Sequence, residues 1–223
     1  RSRMECSLLT RSKGPFVVQN CICRQGRELM GEECSQTGLK ETCLAIGSAA
    51  TAAIGERRGT RLTREETLDF LRRAEKEGLV LQSQNTRDPV FICCCCSCCC
   101  AILSRVKKLT NPGEILDSRY AARLDTEACL GCGICASRCP MGAITLADGA
   151  AGHRAAAISE ERCIGCGLCV SACPEEALRL TARGKAKDPP KSALSMYVRM
   201  LIGRFGLIKG GYLLLKAGLG LKV

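Results

Sequence analysis

Two stretches decide the reading of this chain. The first is Asp125-Thr126-Glu127-Ala128-Cys129-Leu130-Gly131-Cys132-Gly133-Ile134-Cys135-Ala136-Ser137-Arg138-Cys139-Pro140. The second begins 34 residues later as Ser159-Glu160-Glu161-Arg162-Cys163-Ile164-Gly165-Cys166-Gly167-Leu168-Cys169-Val170-Ser171-Ala172-Cys173-Pro174. Both carry the spacing C-x2-C-x2-C-x3-C-P, so one unit is used twice. A short apolar alternation precedes each copy, Ala122–Asp125 and Ala156–Ser159, and another follows it, Ala143–Leu146 and Ala177–Leu180. Such alternation predicts strands flanking a loop and a short helix. The expectation for residues 119–180 is a pseudo-twofold α+β unit.

The spacing carries chemistry. Three closely spaced thiolates wrap three iron corners of a cubane, and the fourth cysteine, after the x3 step and before proline, ligates the other cluster. One [4Fe–4S] set is then Cys129, Cys132, Cys135 and Cys173, and the other is Cys163, Cys166, Cys169 and Cys139. Gly131, Gly133, Gly165 and Gly167 suit a chain that turns sharply and aims amide N–H groups at sulfur. Zinc sites instead pair two C-x2-C knuckles per ion, which fits this doubled pattern poorly. With all eight ligand positions matched, residues 119–180 resemble the bacterial two-cluster ferredoxins. The resemblance implies one-electron transfer with no substrate pocket of its own.

Composition agrees with a metal-held protein. There are twenty cysteines among 223 residues, no Trp, three Tyr and four Phe, so the large rings that commonly dominate a core are scarce. That cysteine content in a short secreted chain would suggest disulfides, but C-x2-C steps suit metal coordination. No basic start followed by an apolar stretch and a small-residue cleavage site appears at the visible N-terminus, and a reducing cytoplasm is expected. The formal charge is +11. Each thiolate-bound cluster contributes about −2, bringing the balance to about +7. The basicity sits in residues 181–223, with nine Lys/Arg against one Asp, while residues 119–180 have six against seven acids.

Twelve cysteines remain: Cys6; then Cys21, Cys23, Cys34 and Cys43; then the run Cys93-Cys94-Cys95-Cys96-Ser97-Cys98-Cys99-Cys100. Seven thiols in eight positions would oxidise readily if left free, so metal binding is the better reading. Neighbours in an extended chain point to opposite sides, so the run can serve two sites. Cys21, Cys23, Cys34, Cys43, Cys93, Cys95, Cys96, Cys98, Cys99 and Cys100 are the candidate ligands for one or two further [4Fe–4S] clusters, or for zinc. Together with the ferredoxin-like segment, the pattern from Cys21-Ile22-Cys23-Arg24 through Cys34, Cys43 and the run to Cys100-Ala101-Ile102-Leu103 resembles a family of uncharacterised multi-cysteine 4Fe–4S-binding proteins of anaerobic bacteria. In the run, Cys94 and Ser97 stand where that family usually has Asn and Gly, which makes Cys94 the least secure ligand. The resemblance implies a multi-cluster electron-transfer role beside flavin- or acyl-CoA-dependent redox enzymes. Arg24 either offsets thiolate charge or is an ordinary surface arginine. Cys6 has no near partner in sequence, and the single histidine, His153, reads as a solvated turn residue.

Elsewhere in residues 1–118, Thr63-Arg64-Glu65-Glu66 is a capping-box pattern opening a helix with Leu68, Leu71 and Ala74 on one side and Gly78 at its end. Leu79–Ser83 and Val90–Ile92, with Asn85–Pro89 between them, predict a hairpin. The segment is therefore expected to be a small cysteine-rich helix-plus-hairpin domain. No second helix with a basic reading face is apparent, which argues against a nucleic-acid partner.

A connector, Thr181–Pro190, ends in two prolines, and the tail then reads MYVRMLIGRFGLIKGGYLLLKAGLGLKV over residues 196–223. No charge-free stretch reaches the roughly 20 residues of a membrane span. Its basic residues do not gather on one helical face. The tail is expected to dock on a partner subunit, to lie on the anionic face of the cytoplasmic membrane through residues 195–223, or to pack as a helix on its own protein. No Ser/His/Asp set, glycine-rich phosphate loop or P-loop is present, so the chain reads as a non-catalytic subunit of an oxidoreductase complex, relaying electrons to or from a redox enzyme partner such as a flavin enzyme. The competing class is an iron–sulfur or zinc redox- or metal-sensing regulator.

Overall fold

The computed structural model describes residues 12, 14–116, 118–148, 154–184 and 188–218; Cys6 and His153 lie outside them. Residues 16–95 form one antiparallel sheet of β1 (Phe16–Asn20), β2 (Glu41–Ile46), β3 (Thr60–Leu62), β4 (Val80–Ser83) and β5 (Phe91–Cys95) in the order β3-β1-β2-β5-β4. Side chains alternate across it. Phe16, Leu44, Ile46 and Ile92 face a core shared with Leu71, Ala74 and Leu79, while Val17 and Ala45 face the opposite side. There Ala50 and Ala53 of helix α2 (Ser48–Gly55) pack against them, small side chains letting the helix lie close.

The expected capping box is complete. Helix α3 (Arg64–Lys76) starts at Thr63, whose hydroxyl accepts from the Glu66 N–H, while the Glu66 carboxylate accepts from the Thr63 N–H. The helix buries Thr67, Leu71 and Ala74 and gives way to Gly78 at φ +82°. The hairpin of β4 and β5 is present, pairing Leu81 with Cys94 and Ser83 with Ile92. It is not free-standing: β5 also pairs with β2, Cys43 opposite Cys93. The sequence reading of helix plus hairpin thus missed β1, β2, β3 and four helices, Ile22–Leu29, Ser48–Gly55, Leu103–Val106 and Pro112–Ile115. Both faces of β1 and β2 are covered, so these strands show apolar runs rather than alternation.

The doubled segment forms two two-stranded antiparallel sheets. β6 (Tyr120–Leu124) pairs with β9 (Leu178–Ala182), and β7 (Ile144–Asp148) with β8 (Arg154–Ile158). Each sheet therefore takes one strand from each copy of the repeat. The two copies share their turn geometry, with φ +64° at both Gly131 and Gly165 and +79° and +81° at Gly133 and Gly167. Those last two residues precede short helices at Ile134–Arg138 and Leu168–Ser171.

A third buried group joins the sheet to this unit. It contains Val80, Cys95, Cys100 and Leu103 from one part and Met141, Ile164 and Leu168 from the other. Arginines close the seam. Arg138 donates to the carbonyls of Glu75 and Lys76, where a cation suits a helix C-terminus. Arg162 donates to the carbonyls of Lys107, Leu109 and Met141.

The tail forms a helical segment, Ala193–Gly218, interrupted at Gly206 (φ 76°, ψ 168°). Leu194, Met200, Leu207 and Ile208 stand exposed along it. Asp188 anchors the preceding connector through Arg119 at 3.0 Å. Among the described residues, no helix is long and apolar enough to cross a membrane.

Candidate metal centres

The eight cysteines of the doubled motif line two cavities. The first is lined by Cys129, Cys132, Cys135 and Cys173 together with Leu124, Ile134, Leu146 and Leu178. The second is lined by Cys139, Cys163, Cys166 and Cys169 with Met141, Ile144, Ile158 and Ile164. The geometry follows from the fold: the loop and helix of each copy put three thiols around one cavity, and the chain leaving that helix carries Cys139 or Cys173 to the other. Four thiols converging on each apolar cavity is the donor set a [4Fe–4S] cluster requires.

The cavities differ in their surroundings. The first reaches the surface, with Cys132 exposed and Leu130 at its rim 72 % exposed. The second faces inward, its walls Met141 and Ile164 belonging to the seam that holds Cys95 and Cys100. Burial pushes the thiols of Cys166 and Cys169 up to about 12, the other cysteines around them adding to the shift. Burial likewise raises Cys135. A bound cation reverses that balance and makes the thiolates favourable ligands. Backbone N–H groups assist: Ala143 donates to Cys139 Sγ at 3.2 Å.

The remaining candidates separate into groups on either side of the extended part of the run. In the first group, the Cys43 and Cys93 side chains meet across the β2–β5 pair, Cys93 also meets Cys95, and Cys95 meets Cys100. The hydrogen bond from Cys43 pulls the Cys93 thiol well below its ordinary value and in turn keeps the proton on Cys43, whose pKa is raised. Cys100 falls to about 6, chiefly through its hydrogen bond with Cys95. Cys21, at the start of helix α1 (Ile22–Leu29), is near enough to Cys43 to act on it electrostatically.

In the second group, the sulfurs of Cys34, Cys96, Cys98 and Cys99 all lie within 4.8 Å of one another. Cys34 is 3.7 Å from both Cys96 and Cys98, and Cys98 is 3.7 Å from Cys99. Cys98 and Cys99 converge because residues 97–99 form a turn, where the alternation of an extended chain no longer applies. Cys23 is half-buried and is not one of the four. Cys94 is only 1 % exposed and packs in the apolar core with Leu44, Leu71 and Ile92.

Sequence reasoning left Arg24 undecided, and the structure buries it. Its guanidinium donates to the Leu39 carbonyl at 2.6 Å, to Thr42 Oγ1 at 2.6 Å and to Cys96 Sγ at 3.5 Å. Burial opposes its charge, but Cys96 and Cys34 more than offset this and its pKa is raised. The adjacency of Arg24 to a ligand-like cysteine was the only signal in the sequence, since its partner lies 72 residues away.

Residues 128–177 match the sequence model of the 4Fe-4S dicluster domain family. No curated protein sequence matches the chain. The matched residues hold all eight cysteines that line the two cavities, so the chain contains a ferredoxin-type segment suited to iron–sulfur cofactors.

Proposed function

We propose that the chain is a multi-centre iron–sulfur electron-transfer subunit that relays single electrons between a surface-facing end and its own sheet domain. The observation that carries the reading is the placement of the inner cavity. Cys139 and Cys166, which line it, also pack on the seam where Cys95 and Cys100 are buried. Bound [4Fe–4S] clusters supply one-electron redox chemistry at these sites. Cys129, Cys132, Cys135 and Cys173 hold the outer one, and Cys163, Cys166, Cys169 and Cys139 hold the inner one.

The protein's part is spacing, exclusion of water and tuning. Met141, fully buried, and Ile164 and Leu168 keep water out of the region between the inner cavity and Cys95. The N–H of Ala143 directed at the Cys139 sulfur tunes the potential of what that sulfur ligates. Cys43, Cys93, Cys95 and Cys100, with Cys21 beside them, supply a further centre that extends the path into the sheet domain. The exposed rim of Leu130 and Ile134 beside the outer cavity is the side on which an external redox protein docks.

The chain divides on this reading into residues 1–118, 119–180 and 181–223, the last docking the subunit onto its enzyme or onto the cytoplasmic face of a membrane. A flavin-dependent oxidoreductase is the partner class that the resemblance to multi-cysteine proteins of anaerobes favours. The test is purification of the full chain without oxygen, followed by iron and acid-labile sulfide counting and a reductive titration followed by electron paramagnetic resonance. The reading requires at least two centres that each accept one electron. A protein holding only redox-inert metal contradicts it.

A further inference from the structure

We propose that Cys34, Cys96, Cys98 and Cys99 form a closed site for a single tetrahedral ion of the Zn2+ class, separate from the iron–sulfur centres. The distances decide between one ion and a cluster. A tetrahedral ion with metal–sulfur bonds of about 2.3 Å holds its four sulfurs about 3.8 Å apart. Three of the contacts here are 3.7 Å, and all four sulfurs lie within 4.8 Å of one another. In a cubane each thiolate sits on a different iron, so the sulfurs stand much farther apart than when they share one metal.

The molecule contains its own contrast. Among the described residues, this is the one group of three or more ligand side chains whose donor atoms gather so closely. The eight cysteines of the ferredoxin-type segment are spread around two cavities and do not form such a knot. Two cysteine arrangements therefore coexist in the chain, one spread around a space and one closed upon a point.

The surroundings fit a tetrathiolate ion of net charge about −2. The buried Arg24 supplies a compensating charge at Cys96, and its Nε is buried without a hydrogen-bond partner of its own. Arg24 is itself fixed by Leu39 and Thr42. Backbone N–H groups of Gln36 and Thr37 point at Cys34, and the Ser35 hydroxyl at Cys98. Four protein thiols, two of them buried, leave no position open for water or substrate, which is the signature of a structural rather than a catalytic zinc. Thiolate ligands also select zinc over harder divalent ions.

The site has a mechanical role. It ties the loop bearing Cys34 to the turn after β5, segments 62 and 64 residues apart in sequence. The turn after β5 also carries Cys100, which belongs to the other thiol group. The zinc site thus fixes the end of the path proposed above without carrying electrons.

The test uses the full chain, produced in medium containing both iron and zinc and purified without oxygen. The expected result is one zinc per chain, with a zinc-edge absorption spectrum showing only sulfur neighbours at about 2.3 Å. Cys98→Ser is expected to lose that zinc while iron and sulfide content and the resonance signals of the reduced ferredoxin-type segment stay unchanged. Loss of iron from Cys98→Ser overturns the proposal, as does a wild-type protein lacking zinc or holding it with nitrogen or oxygen neighbours. If the variant does not accumulate, the wild-type spectrum decides alone. The resonance signals, read on the same sample, report separately on the electron-transfer reading.

Discussion

Cys95 and Cys96 are adjacent in the chain yet lie in different buried groups: Cys95 packs with Cys100, Met141 and Ile164, whereas Cys96 sits 3.7 Å from Cys34 on the core of the sheet domain. The period of two in extended backbone thus sorts a dense cysteine run into separate donor sets. It lets one segment of eight residues serve two purposes.

The crossed arrangement of the ferredoxin-type segment predicts a pattern of loss. Cys139→Ser should resemble Cys166→Ser, because both residues line the inner cavity, and not Cys132→Ser. Iron and sulfide counting with resonance spectra of the reduced variants checks this. Each variant should lose one of the two signals, and Cys139 and Cys166 should remove the same one.

Cys94→Ala should leave metal and sulfide content unchanged, since Cys94 packs with Leu44 and Leu71 in the apolar core. The cost should be in stability alone, about 1–2 kcal/mol for a small cavity in a packed interior. Metal analysis and a denaturant titration on one preparation measure both.

The ferredoxin-type segment was legible because its constraints are local. Ligand spacing, turn glycines and the proline after the fourth cysteine all fall within a dozen residues, and the repeat shows the pairing. Helix α3 was legible for the same reason, through the capping box at Thr63 and Glu66 and the terminal Gly78. The five-stranded sheet was not, because β1 and β2 are buried on both faces and β3 is only three residues long. The partition of the N-terminal cysteines was hidden too. It depends on the register that sets Cys43 opposite Cys93, and on the loop that brings Cys34 to Cys96.

Gly165 and Gly142 offer a paired test of the turn geometry. A Cβ at Gly165 would stand 2.0 Å from the Tyr120 carbonyl oxygen, while one at Gly142 would meet nothing within 4 Å. Both have positive φ, +64° and +59°. Gly142→Ala should therefore cost only the left-handed strain, about 1–2 kcal/mol, and should load its clusters. Gly165→Ala should exceed about 4 kcal/mol, in the range of severe clashes, and fail to load the inner site. Cluster content per folded chain distinguishes the two.

Thr63→Ala should weaken helix α3 by about 1 kcal/mol through loss of the N-cap, with faster hydrogen exchange at the Glu66 amide. The Thr63 N–H and hydroxyl hold the Glu66 carboxyl below its ordinary value. A lowered folded-state pKa means that this contribution is present above the unfolded carboxylate pKa and fades as pH falls through the folded value. The exchange difference between wild type and Glu66→Ala should accordingly narrow on acidification, whereas the deficit of Thr63→Ala, which keeps the residue 63 backbone N–H, should largely persist.

Arg162→Leu should loosen the seam between the two parts. The side chain donates to the carbonyls of Lys107, Leu109 and Met141; the first two are exposed and turn to water, while that of the buried Met141 loses its partner at a cost of about 1 kcal/mol. Limited proteolysis between residues 107 and 119 should accelerate while the iron content of the ferredoxin-type segment is retained.

The redox behaviour of the full chain is the most direct readout of electron relay. A stepwise reductive titration under strict exclusion of oxygen, followed by paramagnetic resonance, should show at least two one-electron centres whose signals interact magnetically, as the neighbouring cavities in one small unit require. A chain that takes up no electrons, or whose eight motif cysteines hold zinc in place of iron and sulfide, would contradict it.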